Sequence, residues 1–308
     1  MTPATGAQHV LHREGTAGPV TATVAELAAG LRRVSVAGVE LVQDYAPDAP
    51  PSYASGIVLV PWPNRVAGAR WKLDGATQQL DVTEPSMGNA SHGLLRNTGY
   101  RVTDQAEDAV TLSAPVFPQH GYPFHLNTSV RYELTDDGLT VTHRIHNASD
   151  RPAPVGIGAH PYLRVGDVPV RDLVLTVHAD TYFVVDERQI PVEERPVDGT
   201  PFDLRSGLPL TAATLDTPLG GLRLIDGAIR HRLTAPDGSG TELWADADFA
   251  YTQVFTNEHY VAADGTVDAI AIEPMTCAPD AFNSGLGLRW LQPDEQWVTR
   301  WGIRRLPA

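Results

Sequence analysis

Residues 126–147 read LNTSVRYELTDDGLTVTHRIHN. Two alternating stretches flank the turn triplet Asp136-Asp137-Gly138. Alternation of apolar and polar side chains is the pattern of a strand with one face on a core. An Asp-Gly step between two such runs signals a hairpin. The segment predicts two antiparallel strands joined by a tight turn.

The same punctuation continues in both directions. Residues 71–80 turn at Asp74-Gly75, and residues 26–43 read as two strands around Gly38. Residues 173–178, 242–245, 252–256 and 269–273 are further short strands. Residues 288–305 read as a closing hairpin around Pro293-Asp294. Twenty-seven glycines and 25 prolines cut the chain into these pieces, and no long segment carries a helical stripe. The predicted fold is all-β, a large antiparallel β-sandwich. Residues 1–18 read as a loose N-terminal arm and 19–308 as one domain. Residues 186–210, with four prolines, read as a long loop within it.

A chain of 308 residues can bury a substantial core. Its formal charge of −14 repels polyanions, so nucleic acid and anionic membrane are excluded as partners. The same field weighs against a heavily anionic substrate unless a local basic cluster overrides it. The single cysteine, Cys277, makes no internal disulfide. The stretch from Met1 to Thr16 is polar and lacks the apolar core of a secretory signal. No apolar run is long enough to span a bilayer. A cytoplasmic protein, monomer or homodimer, is expected.

Several motifs can be set aside. His143 and His146 lie three apart in a strand, so they point to opposite faces and do not share a metal. Gly156-x-Gly158 begins like a dinucleotide loop, but the third glycine is missing and Pro161 stands where a helix would start. No phosphate-binding loop of the Walker type and no Gly-x-Ser-x-Gly elbow occurs.

Three strand-like segments carry chemistry. In residues 155–161, Gly156, Gly158 and His160 share a face, with Val155, Ile157 and Ala159 behind. In residues 269–274, Ala269, Ala271 and Glu273 share a face, and Ile270 and Ile272 point away. In both, small side chains are expected to clear room beside an ionisable group. A carboxylate at the end of an apolar strand is costly unless it is paired. In residues 251–255, Tyr251, Gln253 and Phe255 share a face. An amide between aromatic rings suits a sugar, because rings cover its C–H faces and the amide both donates and accepts.

These residues resemble a known family. Pro61-Trp62-Pro63-Asn64-Arg65-Val66 with Gly68, Ser91-His92-Gly93-Leu94, Gly158-Ala159-His160-Pro161-Tyr162, Leu215-Asp216, Gln253-Val254-Phe255-Thr256-Asn257, and Glu273-Pro274 with Pro279-Asp280-Ala281-Phe282-Asn283 resemble, in order, the motifs of the aldose 1-epimerase (galactose mutarotase) family. The resemblance implies that family's large β-sandwich with an open cleft. It implies interconversion of the α and β anomers of a free aldohexose such as glucose or galactose, without a cofactor or metal. Glu273 would be the general base and His160 the general acid, with His92 assisting near the ring oxygen. Asn64, Arg65, Asp216 and Gln253 would hold hydroxyls of the monosaccharide, with Tyr162 and Phe255 shaping the cleft. Two alternatives stay open at this level. One is a mutarotase of hexose 6-phosphates, for which Arg65, Arg96 and Arg164 are candidate anion ligands. The other is a sugar-binding module without catalysis.

Overall fold

The computed structural model describes residues 3–211 and 214–308. The hairpin of residues 126–147 forms as predicted: Leu126–Leu134 pairs antiparallel with Gly138–Asn147, placing Leu126 opposite Asn147. It lies inside a nine-stranded sheet. That sheet runs, in spatial order, through Arg101–Gln105, Ala109–Val116, Leu126–Leu134, Gly138–Asn147, Gln296–Leu306, Gly240–Ala245, Ile229–Thr234, Val174–Val177 and Leu208–Pro209.

A second large sheet carries the chemistry-bearing segments. Its order is Pro191–Pro196, Ala179–Val185, Asp216–Leu222, Tyr251–Ala262, Gly265–Met275, Gly158–Ala159 and Val58–Leu59, with Tyr162–Leu163 also pairing to Gly265–Met275. The ladders of both sheets are antiparallel. Val254, Ile270 and Ile272 of this sheet join Val141, Leu243 and Ile303 of the other in one apolar core. The sandwich follows directly from period two. Branched apolar side chains at alternate positions turn inward, and the intervening residues are left for the opposite face.

The long hairpin of Tyr251–Ala262 and Gly265–Met275 is the spine of that opposite face. Gln253 stands opposite Glu273 and Phe255 opposite Ala271, and the register shifts at a bulge between Asn257 and Tyr260. No helix among the described residues is long and apolar enough to cross a membrane.

Three sequence expectations need correction. Of the expected N-terminal arm, Met1 and Thr2 lie outside the described residues, and the rest is not loose: Gln8–Gly15 pairs along its length with Gly18–Ala25 in a four-stranded sheet, and Leu11 is fully buried. The closing hairpin is not a hairpin. Arg289–Leu291 pairs with Ala153–Val155, whereas Gln296–Leu306 runs between Gly138–Asn147 and Gly240–Ala245. Within the presumed loop of residues 186–210, Pro191–Pro196 forms a strand at the sheet edge. An edge strand tolerates proline because its outward N–H has no ladder partner to lose.

Candidate active site

Strand alternation and one short ladder assemble the site. Arg65 pairs with Ser91 in a two-stranded ladder. The His92 amide donates to the Asn64 carbonyl at 2.8 Å. This brings Asn64-Arg65 beside Ser91-His92, and both Asn64 and His92 adopt left-handed backbone, with φ of 53° and 64°. Such conformations are uncommon outside glycine and cluster at functional sites. Gly93 has no freedom to be anything else. Its φ is +75°, and a Cβ there would lie 2.0 Å from the Val60 carbonyl oxygen.

Asn64, Arg65, His92, His160, Asp216, Gln253, Phe255 and Glu273 line one cavity of about 360 Å³. His160 Nε2 lies 3.4 Å from Glu273 Oε1, with side-chain exposures of 6% and 3%. Among the described residues, His160 Nδ1 and Glu273 Oε2 have no hydrogen-bond partner. Burial, reinforced by the charge of Asp216, raises the Glu273 pKa well above the usual carboxyl value against the opposing pull of Arg65. Burial likewise takes His160 down to about 3. The proton shared by the pair therefore favours the carboxyl in the free site, and the carboxylate, once formed, is a strong base. The His92 ring stands edge-on to His160 at 5.3 Å.

A polar chain fixes the neighbouring groups. Asn64 Nδ2 donates to Gln253 Oε1 at 3.2 Å, and Gln253 Nε2 donates to Asp216 Oδ1 at 2.6 Å. The amide orientation is thus set from both ends. Arg65 is gripped by both oxygens of Glu84 at 2.8 and 2.9 Å. This fork-to-fork geometry holds the guanidinium in one place. Nothing in the local sequence marks Glu84. It sits in the connection before Ala90–Ser91, and only the fold brings it to Arg65. Tyr53 also lines the cavity unannounced, its ring 6.4 Å from that of Phe255.

Two readings of the small residues are overturned. A Cβ at Gly156 would meet Cys277 Sγ at 2.4 Å, and one at Gly158 would meet Pro63 Cβ at 2.7 Å. These glycines admit close packing and do not open the cavity. Ala269 and Ala271 are covered by Tyr162 and Tyr260. Tyr162 itself is buried behind His160, outside the cavity lining. Its contact with the site is the His160 ring, so it supports that imidazole and does not wall the cleft. Arg164 also falls outside, bonded to the Gly166 carbonyl and Asp167. Trp62 is core, packed on Tyr122 and Phe282.

The fold and cavity define a β-sandwich protein with a buried carboxyl–imidazole pair set among amide, carboxylate and guanidinium groups. The chain belongs to the aldose 1-epimerase family, whose model matches residues 17–304. The uncharacterized protein YihR of Escherichia coli (strain K12) is 31% identical over 277 residues, covering 90% of this chain and 87% of that protein. The aldose 1-epimerase of Escherichia coli (strain K12) is 35% identical over 153 residues, covering 46% of this chain and 42% of that enzyme. The match thus spans less than half the length of that named relative. The solved structure of a putative aldose 1-epimerase from Escherichia coli K12 superposes with a TM-score of 0.81 at 20% identity, covering 98% of this chain and all of the other.

Proposed function

We propose that the chain is a mutarotase, interconverting the α and β anomers of a free aldopyranose, glucose or galactose being the simplest, by acid–base opening and closure of the ring. The observation that carries this reading is the His160–Glu273 pair, 3.4 Å apart in the wall of one cavity. Ring opening takes a proton from the C1 hydroxyl and delivers one to the ring oxygen. A carboxylate and an imidazolium side by side supply both transfers in one site. Glu273 takes the O1 proton while His160 protonates the ring oxygen. The bond between C1 and the ring oxygen breaks, the aldehyde turns about C1–C2, and the steps reverse on the other face. Sugar hydroxyls donating to Glu273 favour its ionised form and pass the shared proton to His160.

Gln253, Asn64 and Asp216 orient hydroxyls, and Phe255 offers an apolar surface to C–H groups. Arg65, fixed by Glu84, faces negative charge developing near C1. His92 assists at the ring-oxygen side. General acid–base help of roughly 10²–10⁴-fold suits a reaction that already proceeds in water.

The test is anomer exchange followed by polarimetry. Glu273→Gln lowers the rate by roughly 10²–10⁴-fold while sugar binding by calorimetry persists. A variant that keeps the wild-type rate removes Glu273 from the mechanism. Sugar binding by the wild type without any exchange favours the non-catalytic module.

A further inference from the structure

Two guanidinium groups line the cavity, Arg65 and Arg96, and they are not equivalent. Arg65 is neutralised by Glu84 through two hydrogen bonds. Arg96 donates to the Ser91 carbonyl at 3.2 Å. Among the described residues it forms no ion pair, and the acid whose charge it feels, Glu84, is already committed to Arg65. A half-buried guanidinium without a counter-charge is costly to maintain. Burial correspondingly lowers its proton affinity.

Arg96 stands at a particular end of the cavity. It follows His92 by four residues. After burial and the mutual effect of the two rings, the Arg96 charge opposes protonation of His92. It acts on His160 as well, as Arg65 does on both rings, and its hydrogen bond to the Ser91 carbonyl holds it beside His92. Of the two guanidiniums, Arg65 is the one whose charge acts on Glu273, together with that of Asp216. In a pyranose, the ring oxygen is bonded to C1 and C5, and C5 carries the exocyclic carbon. A sugar with O1 at Glu273 and its ring oxygen at His160 therefore extends its exocyclic carbon past the histidines, toward Arg96.

We propose that Arg96 is the specificity-determining residue of the cavity and that the preferred substrate is an aldopyranose bearing a singly charged anionic group on its exocyclic carbon. This rests on the mutarotase reading above. One unpaired guanidinium matches one negative charge and is suited to a two-oxygen contact. The net charge of −14 disfavours approach of a dianion, so a carboxylate or sulfate ester ranks above a phosphate ester.

The experiment compares kcat/KM for anomer exchange on glucose, glucuronate, glucose 6-sulfate and glucose 6-phosphate, using the wild type, Arg96→Met and Arg96→Lys. The wild type prefers the monoanionic sugars over glucose by about tenfold or more, the worth of one charged hydrogen-bonded contact. Arg96→Met collapses that ratio, and Arg96→Lys keeps part of it. An equal loss on neutral and anionic sugars would reduce Arg96 to a clamp on the Ser91 loop and overturn the assignment. A wild type that prefers glucose overturns it too, yet leaves the mutarotase reading standing. Exchange on none of the four sugars sinks that reading, and this inference with it.

Discussion

The ring of Tyr162 lies against the His160 imidazole, centroids 5.3 Å apart and planes 24° from parallel. Tyr162 also packs on Tyr260, centroids 4.7 Å apart, in a cluster with Ala269 and Ala271. The imidazole is thus held by a wall of aromatic rings. Tyr162→Ala removes that wall, with an expected stability loss of about 3–5 kcal/mol in urea denaturation. Tyr162→Phe keeps the ring and retains most activity. If Tyr162→Phe loses activity as fully as Tyr162→Ala, the hydroxyl matters and the packing account fails.

Glu273 carries a stability cost that comes from its burial. Its raised pKa means the folded carboxyl holds a proton that the unfolded one, near about 4.3, has released. The folded state binds more protons there, so stability falls as pH rises through this window. Glu273→Gln escapes the effect. Calorimetric scans are expected to give the variant a higher Tm than wild type at pH 8, with the gap closing near pH 4. A gap that stays constant with pH would contradict the linkage.

The buried histidines act in the opposite sense. Burial lowers His143 and His160 to about 3 and His231 to about 4. Their unfolded counterparts bind protons near about 6.5. Between those values the unfolded state holds more protons, so stability falls as pH drops from about 6.5 toward 3–4. Among the described residues, His231 has no hydrogen-bond partner on either ring nitrogen, which makes it the cleanest probe. His231→Leu is expected to show a smaller fall in Tm between pH 7 and pH 4.5 than wild type. An unchanged fall assigns the acid sensitivity elsewhere.

Glycines at positive φ differ sharply in what surrounds them. Gly75 has φ +81° and open space around a would-be Cβ, so Gly75→Ala costs only the backbone strain of about 1–2 kcal/mol. Gly93→Ala adds a collision with the Val60 backbone. Its product is expected to be insoluble or far less stable in thermal melts, and comparable melts for the two variants would contradict the close approach.

Strand periodicity made much of this molecule legible. Ile270 and Ile272 alternate with Ala271 and Glu273, so one face of that strand could be assigned to the core before any pairing was known. The same logic put Gln253 beside Phe255. What alternation does not supply is the partner. Pro293-Asp294 marks a reversal, but the strands on either side pair with different neighbours. Nor does it say what a small residue makes room for. Gly156 and Gly158 yield to Pro63 and Cys277, and Ala271 yields to Tyr162, where a substrate had been expected. Glu84 is invisible in the sequence because its importance arises only from a contact with Arg65, 19 positions before it in the chain.

The direct opposition of Gln253 and Glu273 has a consequence for how such a chain can vary in length. Side chains swap faces with every added residue. One insertion between Tyr251 and Phe255 would turn the amide into the sandwich interior and bring a valine or threonine out to the cavity. The reading frame of this hairpin is therefore set by the cavity it lines as firmly as by its packing. The bulge between Asn257 and Tyr260 lies past the last cavity-lining residue of its strand. Extra residues can be accommodated there, leaving the cavity-lining end of the hairpin in phase.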